Sequence, residues 1–207
     1  EKGMNTELLN SQTSLISIDT DETAQPATAL GLLNALRSDL GLHHVDPNPR
    51  LKSAALGHAL FLAKHADLYV NGLSFHDEVA GKEGYIGTKY WDRQDLYETH
   101  EEALGEVIAF QPTSEAAMTQ WMESVYHRIP LVDARVTSAG YGEQVNTLQS
   151  YNVLELATLP LAHPNDAWMP RHWVAVPQDG ATMVPTSWDG KESPQPPSPP
   201  GGFPSGP

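Results

Sequence analysis

Between Pro26 and Pro130 the apolar side chains recur at steps of three and four, and from Ala139 onward at steps of two. A helical period followed by a strand period points to an α+β fold in which helices cover a sheet, since each element has an apolar side to bury. Leu30, Leu33, Leu36 and Leu40 mark a first helix that stops at Gly41. Asp46-Pro47-Asn48-Pro49 turns the chain into a second, whose stripe is Leu51, Ala55, His58, Leu62, Ala66 and Tyr69, ending at Asn71-Gly72. Residues 73–93 read as a long loop, Glu101 to Phe110 as a short helix, and Pro112-Thr113-Ser114 as the start of another. That last helix carries Ala117, Met118, Trp121, Met122 and Val125 on its inner face and stops at Pro130. Ala139 to Val145, Tyr151 to Thr158 and His172 to Val176 read as strands.

A chain of 207 residues holds one ordinary domain with something added. Its 40% hydrophobic and 18% charged residues are enough apolar surface to fold. Residues 1–25 read as a polar arm, 26–178 as the domain and 179–207 as a tail rich in Pro, Gly and Ser, or the start of a following module. Twelve basic against 26 acidic residues leave a net charge of −14, which repels phosphate backbones and argues against nucleic acid as a partner. There is no cysteine, so disulfides, thiolate metal sites and cysteine nucleophiles are excluded. No run of about 18 apolar residues is present, so no transmembrane segment is expected.

Several catalytic signatures are missing: the Gly-x-Ser-x-Gly elbow, the phosphate-binding Gly-Lys-Ser/Thr loop and Gly-x-Gly-x-x-Gly. His100-Glu101 begins like a zinc-protease helix, but Leu104 stands where the second histidine is needed. What remains is a constellation: His76-Asp77-Glu78 in the long loop, Gly105-Glu106-Val107-Ile108-Ala109, Trp121 through His127-Arg128, and Gly140-Tyr141-Gly142. Each piece alone is more often structural than functional, and His58 and His65 on the second helix read as core or half-buried histidines.

In order and spacing these pieces resemble the bacterial branch of the CAP superfamily, the group of cysteine-rich secretory proteins and plant pathogenesis-related proteins, over about Pro26 to Val176. The resemblance implies a three-layer α-β-α sandwich and a cleft tetrad of two histidines and two acidic residues that often binds zinc. Carried over, His76 matches the loop histidine, Glu106 the acid of the Gly-Glu-Asn motif, and His127 the histidine closing the Trp helix, with Arg128 beside it as a binding residue. This chain departs from the pattern at Val107, which replaces the asparagine, and at Ser124, where animal and plant members carry a glutamate. Their His-Tyr-Thr-Gln strand motif is also missing. Glu78 is the candidate for the fourth position, because residues two apart in an extended loop point the same way, and Glu123 is its competitor.

The implied function is an extracytoplasmic protein, secreted or on the cell surface, whose cleft holds zinc on His76 and His127 and an extended ligand such as a peptide, glycan or lipid. The alternative is a metal-dependent hydrolase, a protease or cell-wall enzyme, with Glu106 as its base. A third possibility is that the tetrad is only a hydrogen-bonded cluster fixing the loop. Pro177 to Pro185 resembles the opening of bacterial surface modules, or a tail that follows such domains, which also points outside the cytoplasm.

Overall fold

The computed structural model describes residues 24–159 together with residue 176, so the expected arm up to residue 23, the strand at 172–176 and the tail lie outside the described residues apart from that single position. The elements run α1 (Ala24–Asp39), β1 (Asp46–Pro47), α2 (Pro49–Lys64), a 3-10 helix (Ala66–Asn71), α3 (Tyr90–Leu96), β2 (Glu102–Ala109), α4 (Ser114–Glu123), α5 (Val125–Leu131), β3 (Ser138–Val145) and β4 (Ser150–Thr158). The sheet order is β1-β3-β4-β2, with β1 parallel to β3 and the other pairs antiparallel. One face packs on α2, with α3 beside it, and the other on α1, α4 and α5, which is the expected α+β sandwich of three layers.

Helix α2 starts where the Asn48 side chain accepts the N–H groups of Arg50 and Leu51 at 2.8 and 3.3 Å, with Pro49 in the first turn. It lies almost on the backbone of β3. A Cβ at Gly140 would sit 2.0 Å from the Lys52 nitrogen, and one at Gly142 2.2 Å from that of Leu56. The Gly-x-Gly pair is therefore a docking surface for the helix. Gly140→Ala is expected to destabilise the domain by about 1–3 kcal/mol, because backbone must move on one side or the other. An unchanged urea midpoint would show that α2 can be displaced freely.

On the other face Leu33, Val107, Trp121, Leu131, Tyr141, Leu154 and Leu156 form the larger core. Arg37 is buried among them and ties α1 to the chain after α5. Its guanidinium donates to the carbonyls of His43 (2.7 Å), Leu131 (2.9 Å), Asp133 (3.0 Å) and Val136 (3.2 Å). Burial pushes its pKa down to about 10, against the pull of nearby Asp133.

Three sequence expectations are corrected. Residues 102–109 form a strand and not a helix: from Gly105 to Ala109 both faces are buried, and Glu106 is the single polar side chain in that stretch, so it shows no alternation of polar with apolar residues. The long loop ends earlier than expected, because α3 begins at Tyr90. The Trp helix breaks at Ser124, whose backbone is extended (φ −96°, ψ 136°), and restarts as α5 with Pro130 inside it. The break turns Val125 away from the core, where it is 45% exposed.

Candidate functional site

The alternation of β2 divides its residues between two environments. Val107 and Ala109 enter the larger core with α1 and α4, while Glu106 and Ile108 face the α2 side. Val107, in the place of the family's asparagine, is thus a core residue with nothing polar to serve. Glu106 is buried and meets three elements there.

Helix α2 contributes His58, a buried polar side chain in an alanine-rich stripe. Its Nε2 lies 2.9 Å from the Phe75 carbonyl and its Nδ1 2.8 Å from Glu78 Oε1. A carbonyl only accepts, so Nε2 is the donor to Phe75, and Nδ1 faces the Glu78 carboxyl. The other Glu78 oxygen accepts the Ile86 N–H at 2.8 Å. Both ring nitrogens of His58 are thus engaged.

The segment between the 3-10 helix and α3 is held by such contacts. Gly72 takes the left-handed conformation (φ 91°) that lets it leave the 3-10 helix, Tyr69 donates to the Asp77 carbonyl at 2.9 Å, and Glu78 N–H to Thr88 at 3.0 Å. These contacts set His76 over Glu106, with Nδ1 2.8 Å from Glu106 Oε1 and the side chain 21% exposed. Nδ1 faces the carboxylate, so in the neutral ring Nε2 is the nitrogen that carries the lone pair, and Nε2 has no partner among the described residues.

Helix α3 brings in Arg93, fully buried, whose Nη2 is 2.5 Å from Glu106 Oε2 and whose guanidinium also reaches the carbonyls of His76, Gly87 and Thr88 at 3.2–3.4 Å. Desolvation alone would favour neutral Arg93, but Glu106 and then Glu155 outweigh it and push its pKa up. Burial likewise opposes ionisation of Glu106, and Arg93, with His58 and His76, overcomes it, holding that carboxyl well below the usual range. Glu155 is the register partner of Glu106 on β4 and accepts from Gln94 Nε2 at 2.7 Å.

Of the residues expected from sequence, the structure brings together His76, Glu106 and Glu78, the last through His58. His127 and Arg128 are on α5, which packs on the other side of β2, with Pro130 against Gly105 and Leu131 in the larger core. His127 Nδ1 is 2.6 Å from Ser124 Oγ, so the serine standing at the glutamate position does pair with it. Arg128 is half-buried. Glu123, the competitor for the fourth position, is exposed at the end of α4. His58, Arg93, Gln94 and Glu155 were not anticipated as site residues. The available signals were a lone glutamate inside the apolar run Tyr151 to Thr158 and a histidine on an otherwise aliphatic stripe.

The cysteine-rich secretory protein family model, CAP, matches residues 30–156. Among solved structures, an extracellular protein containing an SCP domain from Bacillus anthracis is similar at 22% identity and a TM-score of 0.51, over 64% of this chain and 40% of that one. An outer surface protein from Borrelia burgdorferi is similar at 16% identity and a TM-score of 0.55, over 69% of this chain and 96% of that one. Comparison with curated proteins gives no match. With the family model covering most of the described sandwich and the fold shared with these structures, the chain belongs to the cysteine-rich secretory protein (CAP) family.

Proposed function

We propose that the chain is an extracytoplasmic binding module in which His76 meets the ligand. The observation that carries this reading is the state of the ring nitrogens: His58 has both engaged, whereas His76 offers a free Nε2 at the surface of an otherwise closed cluster. A location outside the cytoplasm is supported by the similar proteins from Bacillus anthracis and Borrelia burgdorferi, described as extracellular and outer surface proteins. No helix among the described residues is long and apolar enough to cross a membrane. An extended peptide, glycan or lipid headgroup would donate an N–H or O–H to Nε2.

Zinc fits this donor set only in part. The cluster supplies one ring nitrogen, from His76, while His127, the other ligand expected from the sequence, lies on α5 on the other side of β2 with its Nδ1 on Ser124. Among the described residues no group of three or more His, Cys, Asp or Glu is placed to hold a metal. Weak, exchangeable zinc binding is what such a set supports. Binding is favoured over hydrolysis because both Glu106 oxygens are engaged and its carboxyl is held well below the usual range, which makes it a poor general base.

The test is a zinc titration of the untagged protein followed through histidine ring NMR signals. The His76 signal is expected to move first, acid to release the metal because a protonated imidazole has no lone pair, and His76→Gln to weaken binding at least tenfold. Unchanged zinc affinity in His76→Gln would remove the zinc site. A natural ligand that binds the variant equally well would remove the wider reading.

A further inference from the structure

We propose that Glu155, buried on β4 opposite Glu106 and without a counter-charge of its own, is held as a neutral carboxylic acid against Gln94. The inference does not depend on what the cleft binds. It rests on a count of buried charges and on where the unpartnered atoms lie.

Glu78, Glu106 and Glu155 are buried carboxyls on one side of the sheet, 2%, 7% and 0% exposed. Two side chains, His58 and Arg93, face them as partners. His58 is used by Glu78, and Arg93 by Glu106, with its short contact from Nη2. For Glu155 only the Arg93 Nε remains, at 3.8 Å and outside hydrogen-bond reach, with the uncharged Gln94 amide on its Oε2. The other groups facing this position are Tyr90 on α3 and, beyond Glu106, His76 and His58; β3 places Gly140 opposite Glu155, with Ser138 two residues along bonded to Glu101. A third buried anion there would have no counter-charge of its own.

The orphaned polar atoms lie in the same place. Glu155 Oε1, Gln94 Oε1 and Arg93 Nε are all buried without hydrogen-bond partners. If Glu155 is ionised, Glu155 Oε1 and Gln94 Oε1 are two acceptors in need of donors. A proton on Glu155 Oε1 supplies one, directed at the Gln94 carbonyl or at Glu106. Burial, then the charge of Glu106, push the Glu155 carboxyl well above the usual range, as this arrangement requires. Glu155 is in these terms a positioning residue. While it is neutral, Arg93 stays on Glu106, and Glu106 keeps the Nδ1 proton of His76 in place.

Infrared spectroscopy tests this in the intact chain. At pH 7 the wild type should show a carboxylic-acid carbonyl band, when every ordinary Asp and Glu is ionised, and Glu155→Gln should lose it while remaining folded, since glutamine copies the neutral acid in shape. Stability adds a second readout. A carboxyl with a raised folded pKa binds a proton in the native state that the unfolded state releases, so wild-type stability falls as pH rises from the unfolded value, about 4.3, to the folded one. Glu155→Gln lacks this loss, so its unfolding constant relative to wild type should fall up to tenfold per pH unit over that window. A wild type without the band at pH 7 overturns the proposal whatever the variant does. A band that survives in Glu155→Gln, or a stability difference that does not change between pH 5 and 8, overturns it as well.

Discussion

Arg93→Met is expected to destabilise the domain by about 3–5 kcal/mol at pH 7, the range found when one partner of a buried ion pair is removed and the other is left without a counter-charge. The guanidinium is fully buried, bonds Glu106 Oε2 at 2.5 Å and also holds the carbonyls of His76, Gly87 and Thr88, so its loss frees both the carboxylate and the loop above it. The deficit should depend on pH in a definite direction. In the wild type the Glu106 carboxyl is depressed, so its contribution is present above the unfolded value of about 4.3 and lost only as pH falls through the lower folded value. In Arg93→Met burial acts without its main opponent and drives the same carboxyl upward. The variant's deficit is therefore largest at neutral pH and narrows as pH falls and Glu106 becomes protonated in the variant. Urea denaturation at pH 7 and pH 4 measures this. A deficit that is equal at the two values would mean that Arg93 acts by packing alone.

The sequence made α1, α2, β3 and β4 legible because each has a clear period: Leu30, Leu33 and Leu40 are buried as expected, and the Gly-x-Gly of β3 lies under α2. It misled at β2. A strand covered on both faces has no polar side, and over eight residues an apolar run is equally a short helix. The break at Ser124 was hidden for another reason: Ala117, Met118 and Trp121 keep helical spacing up to it, and nothing in the residue types signals that the chain turns extended for one position.

The site was legible only where local motifs carry it. His76 and Glu106 each sit in a recognisable stretch, and the structure joins them at 2.8 Å. His127 also sits in one, but a motif does not say what its side chain bonds to, and here that includes Ser124. Arg93, Gln94 and Glu155 come from α3 and β4, 61 or 62 positions apart between helix and strand, and meet only because β4 pairs with β2 and α3 covers them both. Such a contact is set by sheet register, which no local pattern contains. On its stripe His58 reads as a core or half-buried histidine hydrogen-bonded to its surroundings. That is its state, and those bonds are also what remove it as a metal ligand and leave His76 as the open ring.

Trp121→Ala should cost about 3–5 kcal/mol, the range for emptying a large aromatic site. Trp121 is fully buried on α4, and its cluster includes Ala117 and Met118 from the same helix, Leu33 from α1, Val107 from β2 and Leu156 from β4. It thus fills the space where the outer helices meet the sheet. The chain has no cysteine, hence no disulfide that would restrict the unfolded state and offset a weakened core. Against a typical total of about 5–15 kcal/mol, such a loss would leave a substantial unfolded population near physiological temperature. Trp121→Phe should be much milder, both because it keeps most of the ring volume and because the indole Nε1 is buried without a hydrogen-bond partner, so phenylalanine removes an unsatisfied donor along with the lost area. Equilibrium denaturation of the two variants separates packing from ligand contact. If Trp121→Ala keeps the wild-type midpoint but weakens a bound ligand, Trp121 belongs to a binding surface and not to the core.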